Sequence, residues 1–87
     1  MEGPIPPSAL QWEIPVIDWS RDQVTNWLQI VYIDMDEDTL KNWKRHKIRG
    51  RALLKITADK LLLFGFNEEV ASKLWMVISN LQVSANL

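Results

Sequence analysis

The 87 residues suffice for one small domain with a single core, and with 47% apolar residues and five tryptophans they exclude a disordered tail. There is no cysteine, so disulfide frameworks and thiolate chemistry are excluded. The net charge is only −1, but it is unevenly spread. Residues 1–40 hold eight acids and one base, Arg21, whereas residues 41–87 hold nine bases and three acids. Within 41–55 there are seven Lys or Arg and no acid. Such a polarity steers and orients partners; it does not set the fold.

Pro4, Pro6, Pro7 and Pro15 disfavour helix, so residues 1–17 read as a proline-containing arm. Its end, from Trp12 through Ile14, Val16 and Ile17, is apolar enough to lie extended on the domain. Ser20 followed by Gln23 forms a capping box, and Val24, Trp27, Leu28 and Val31 then repeat at i, i+3, i+4 and i+7, predicting a helix over 21–32. Asp34 or Asp36 caps the next helix, with Glu37 and Asp38 in its first turn. Leu40 and Trp43 give that helix its inner face, and Lys44, Arg45 and Lys47 load its last turn with the charge its dipole favours. Gly50 is expected to end this stretch with a sharp turn.

Residues 48–66 hold two short apolar helices, with Leu53 and Leu54 in the middle, Thr57 as an N-cap and Phe64-Gly65-Phe66 at the end. Helices this short are marginal alone, so the rest of the chain must wrap them. Asn67 caps a last helix over 68–82, whose stripe is Val70, Leu74, Val77, Ile78 and Leu81; residues 84–87 fray. The prediction is an all-α, five-helix bundle with a long C-terminal helix.

Trp19-Ser20-x-x-x-Val24-x-x-Trp27-Leu28, Ile48-x-Gly50-x-x-Leu53-Leu54-x-Ile56-Thr57 and Leu61-x-x-Phe64-Gly65-Phe66, followed by a long amphipathic helix, resemble the sterile alpha motif (SAM) domain. The resemblance covers residues 18–83. Ile17-Asp18-Trp19-Ser20-Arg21-Asp22-Gln23-Val24, Lys73-Leu74-Trp75-Met76-Val77-Ile78 and the arm are similar to the Pointed branch of that superfamily, found in ETS-type transcription factors. Lys44-Arg45-His46-Lys47-Ile48-Arg49-Gly50 and the Phe64-Gly65-Phe66 turn look like ordinary SAM domains, and SAM at large is the favoured reading.

The resemblance implies a non-enzymatic adaptor that binds another SAM-like domain, homotypically or heterotypically, in signalling proteins or transcription regulators. A common mode joins a mid-loop patch on the second to fourth helices to an end-helix patch at the start of the fifth. In many such pairs the mid-loop patch is acidic and the end-helix patch basic. Here the mid-loop positions are Lys44, Arg45, Lys47, Arg49, Arg51 and Lys55, with Leu62 and Leu63 as apolar candidates because a short helix cannot bury all of Leu61–Phe64. The end-helix positions are Asn67, Glu68, Glu69 and Lys73, which reverses the usual polarity. A plain solvated surface is the competing explanation.

An RNA-hairpin reader is the alternative of another class. The basic stretch has the charge, but its one aromatic, Trp43, has core spacing, and Glu68 and Glu69 stand where RNA-binding members carry bases. Trp19 and Trp27 are expected in the core; Trp75 falls beside the last stripe, half exposed.

Catalysis finds no constellation: His46 is the only histidine, and it sits among cations. No metal or cofactor is expected. Asp34, Asp36, Glu37 and Asp38 lack the glycine and distal glutamate of a calcium loop, and no glycine-rich phosphate loop is present. No apolar run approaches the ~18–20 residues of a membrane span, and Met1-Glu2-Gly3-Pro4 lacks the start of a secretory signal. The expected setting is intracellular, cytoplasmic or nuclear.

Overall fold

A computed structural model describes residues 14–85; the expectation for Trp12 lies outside them. A 3-10 turn, Val16–Asp18, precedes five helices: α1 Arg21–Val31, α2 Glu37–Arg45, α3 Gly50–Leu53, α4 Ala58–Leu63 and α5 Glu68–Ala85. The described residues are helical, as predicted, with no strand among them.

Local chemistry sets most boundaries. The Ser20 hydroxyl accepts from the Gln23 N–H at 3.2 Å and the Gln23 side chain accepts from the Ser20 N–H at 2.8 Å, completing the capping box that opens α1. Of the two candidate caps for α2 it is Asp36 that serves, accepting from the Thr39 N–H at 3.0 Å. The hydroxyl and backbone N–H of Thr39 hold the Asp36 carboxyl below its ordinary value of 3.8. The stabilisation that Asp36 gives α2 is therefore complete above 3.8 and is lost as pH falls through the lowered value. Thr57 caps α4 and Asn67 caps α5 in the same way, at 3.2 and 2.8 Å.

Three boundaries differ from the prediction. Residues 16–18 are not extended: Pro15, with φ −56°, leads into 3-10 bonds from Asp18 N–H to the Pro15 carbonyl and from Trp19 N–H to the Val16 carbonyl, both 2.9 Å. Helix α5 continues to Ala85 rather than ending near residue 82. The sharp turn after α2 is made by Lys47, which has φ 50°, and not by Gly50, which is the first residue of α3.

Gly50 has a different task. The 3-10 turn lies so close to α3 that a Cβ at Gly50 would overlap the Val16 backbone carbonyl and meet the Trp19 Cβ at 3.1 Å. Its N–H donates to the Trp19 carbonyl at 2.9 Å. Gly65, with φ 97°, supplies the left-handed residue between α4 and α5.

The core gathers residues from every helix, among them Trp19, Leu28, Trp43, Leu53, Leu61, Leu74 and Ile78. Trp19 packs against Trp27 with ring centroids 6.4 Å apart and donates its indole N–H to the Ile14 carbonyl at 3.0 Å, tying the 3-10 segment down. Trp43 is only 1% exposed, and its indole N–H has no acceptor among the described residues; such a group costs about 1–3 kcal/mol, which burial of the large ring must exceed. Of the predicted α5 stripe, Leu74 and Ile78 are fully buried while Val70, Val77 and Leu81 are half-buried; Ala71 joins them. Near its end α5 is held by Gln82, which donates to the Leu53 and Ile56 carbonyls at 3.0 and 2.9 Å.

Candidate protein interface

The basic ridge forms where α2 ends and α3 begins. Lys44 and Arg45 close α2, Lys47 occupies the left-handed position after it, Arg49 is the N-cap of α3, Arg51 lies within α3 and Lys55 follows it. All six are exposed. Two further cations join them that the sequence reading did not assign. Arg21, from the start of α1, lines a depression of about 150 Å³ with Lys44 and Lys47, where Asp22 is the one acid. Lys60 lines a groove of about 390 Å³ between α3 and α4 with Lys55. Nothing in the spacing of Arg21 links it to Lys44; only the crossing of α1 and α2 does.

Lys60 Nζ stands 6.0 Å from the centroid of Phe64, one wall of that groove. The wall is fixed from α2. His46 stacks on Phe64 at 3.9 Å and 17°, its Nε2 lies 3.1 Å from the Phe64 carbonyl, and Asn42 donates to the same oxygen at 3.0 Å. The lone histidine is thus a buttress between α2 and α4.

Leu62 does not sit with the ridge. It is 45% exposed and lines a depression with Ala58, Glu68, Ala71, Ser72 and Trp75, on the end-helix side. A six-residue helix turns successive side chains by about 100°, so Leu61 enters the core and Leu62 faces α5. Leu63 is 80% exposed. Trp75 is half-buried, as expected.

The end-helix residues Asn67, Glu68, Glu69 and Lys73 are exposed along the first turns of α5. Glu69 and Lys73 form the one ion pair among the described residues, 3.7 Å apart and open to solvent; pairs of this kind contribute only about 0.3–0.5 kcal/mol. Asn67 and Val70 share a depression of about 300 Å³ with Asp36 and Asp38. The start of α2 therefore lies beside the start of α5, with Asp36 and Asp38 in one depression with Asn67. The capping role of Asp36 was legible in the sequence; its proximity to Asn67 was not, because it depends on how α2 packs against the α4–α5 turn.

Chemically the two regions offer charge and apolar contact. Among the described residues no group of His, Cys, Asp and Glu could hold a metal ion, and no helix is long and apolar enough to cross a membrane. A family model described as the Sterile alpha motif (SAM)/Pointed domain matches residues 8–85, taking in part of the proline-containing arm as well as all five helices. With a helical bundle of the expected order, and a match over most of its length, the chain belongs to the SAM/Pointed family of protein-interaction domains.

Proposed function

We propose that the chain is the association module of an intracellular signalling or regulatory protein, and that its basic ridge docks on the acidic face of another SAM-like domain. The observation that carries this reading is the segregation of unpaired charge. Among the described residues the ridge cations form no ion pair, while the acids gather at the starts of α2 and α5. Charge left unpaired on one face and matched in sign by another face favours encounter in a set orientation. Trp43, the one aromatic within the basic stretch 41–55, is buried and offers no face to an unpaired base, which favours a protein partner over an RNA loop. A Pointed domain in a transcription factor or its regulator is the second reading, supported by a family match that begins within the arm.

Reversing Arg49 and Arg51 to glutamate tests the ridge. In sedimentation across concentration, the wild-type chain is expected to associate more strongly at low salt than at high salt. The double reversal is expected to weaken association by about ten- to a hundredfold, since each exposed pair contributes about 0.2–1 kcal/mol and reversal turns attraction into repulsion. Replacing Glu68 and Glu69 by lysine in a second copy should restore binding to the reversed ridge. Association left intact by the reversal at low salt refutes the ridge as the contact.

A further inference from the structure

Ile33 lies at the tip of a tight turn between α1 and α2, closed by the Met35 N–H donating to the Tyr32 carbonyl at 3.2 Å. Its side chain is 83% exposed, the most exposed of the large apolar residues described. Turn tips favour Gly, Asn, Asp and Pro, because these tolerate the backbone or hydrogen-bond to it; a β-branched apolar residue there gains nothing locally. Asp34, Asp36, Glu37 and Asp38 follow it, all exposed. The chain thus holds out an apolar side chain at the tip of a hydrogen-bonded turn, followed in sequence by carboxylates.

The groove between α3 and α4 has the opposite character. Ile48, Ala52, Ile56 and Phe64 make it apolar, and Lys55 and Lys60 stand at its edge. Its volume of about 390 Å³ is roomy for a branched aliphatic side chain, and the contacts of His46 and Asn42 with Phe64 hold its wall in place without a ligand. Apolar pockets with a few placed charges are the usual form of a preformed binding site.

Resting on the ridge-to-acid reading above, we propose that Ile33 of one copy is the plug that fills the α3–α4 groove of a second copy, with its flanking carboxylates against Lys55 and Lys60. The occupant is a second copy because the chain itself carries both halves, matched in shape class and in charge sign. One plug seated in one groove, without the reciprocal second contact of a two-fold dimer, makes the contact heterologous. Each molecule keeps one free end, and association proceeds head to tail into a ring or a filament.

The test uses substitutions that break the apolar fit while leaving charge complementarity intact or stronger. Ile33→Asp adds a carboxylate to the acidic turn; Ala52→Lys adds a cation to the groove. Both positions are exposed, and unchanged far-ultraviolet circular dichroism and melting of each variant verify that it folds. In sedimentation of the full chain at low salt, each variant alone is expected to lose association by about ten- to a hundredfold, the effect of one buried aliphatic anchor. Mixed one to one, they should form a heterodimer of wild-type affinity and nothing larger, since one intact plug then meets one intact groove. Unchanged or tighter association of the single variants, alongside loss in the Arg49 and Arg51 reversal, overturns the plug and leaves the ridge standing. Failure of the mixture to recover overturns the heterologous pairing. A wild-type chain that stays monomeric at every concentration and salt overturns the second copy as occupant and assigns the groove to a different acidic, apolar partner.

Discussion

Gly50→Ala lowers stability by about 3 kcal/mol, the upper end of what one extra methyl costs in a tight contact. The added Cβ meets the Val16 backbone carbonyl, which cannot swing aside as a flexible side chain could. Relief requires the 3-10 turn to lift away from α3. That motion breaks the Gly50 N–H bond to the Trp19 carbonyl and loosens Trp19, which is buried against Trp27. In a domain of this size about 1 kcal/mol moves the melting temperature by about 4–8 °C, so thermal unfolding should fall by more than 10 °C. Gly65→Ala is the contrast. A Cβ there meets only the Asn42 side-chain nitrogen, at 3.7 Å, and the cost comes from φ 97° alone, about 1–2 kcal/mol. If Gly50→Ala melts no lower than Gly65→Ala, the 3-10 turn does not pack on α3 as described.

Leu74→Ala destabilises by about 2–5 kcal/mol. Leu74 is fully buried in the middle of α5, in the same cluster as Leu28, Leu53, Leu61 and Ile78. Truncation leaves a cavity where those side chains met it, and α5 cannot close the gap because its Gln82 end is anchored on the α3 and α4 side. Domains of this length have about 0.05–0.15 kcal/mol of stability per residue, so the loss is a large share of the total. Leu63→Ala, at an 80% exposed position, should change stability by no more than about 0.5 kcal/mol. Urea denaturation of the two variants side by side measures the difference. Equal losses would show that Leu63 is buried in solution, against its exposure in the structure.

What was legible in the sequence follows the range of the interaction. Ser20 with Gln23, Asp36, Thr57 and Asn67 act on backbone groups three residues away, so their patterns announced the helix starts. The stripe of Leu74 and Ile78 and the core placement of Trp43 followed from helical spacing. Gly50 was legible as special but misread as a turn, because the carbonyl it must accommodate belongs to Val16, 34 residues earlier. The end of the arm was misread for a related reason: proline argues against long helix but permits a single 3-10 turn. The basic ridge was visible as a run of cations, yet Arg21 and Lys60 join it only through packing. Leu62 moved to the end-helix side because a helix of one and a half turns points its successive leucines in different directions. Asp36 had a sufficient local explanation as a cap, which concealed its place beside Asn67.

Lys47 shows what such a surface asks of the chain that carries it. A lysine with φ 50° occupies a conformation that glycine or asparagine adopts at lower cost, and the same residue shares a depression with Arg21 and Lys44. Thermal selection on a mutant library, blind to binding, would therefore drift toward glycine or asparagine at 47 and strip a charge from the ridge with every gain in heat tolerance. A library enriched for partner capture would hold the lysine and accept the softer fold.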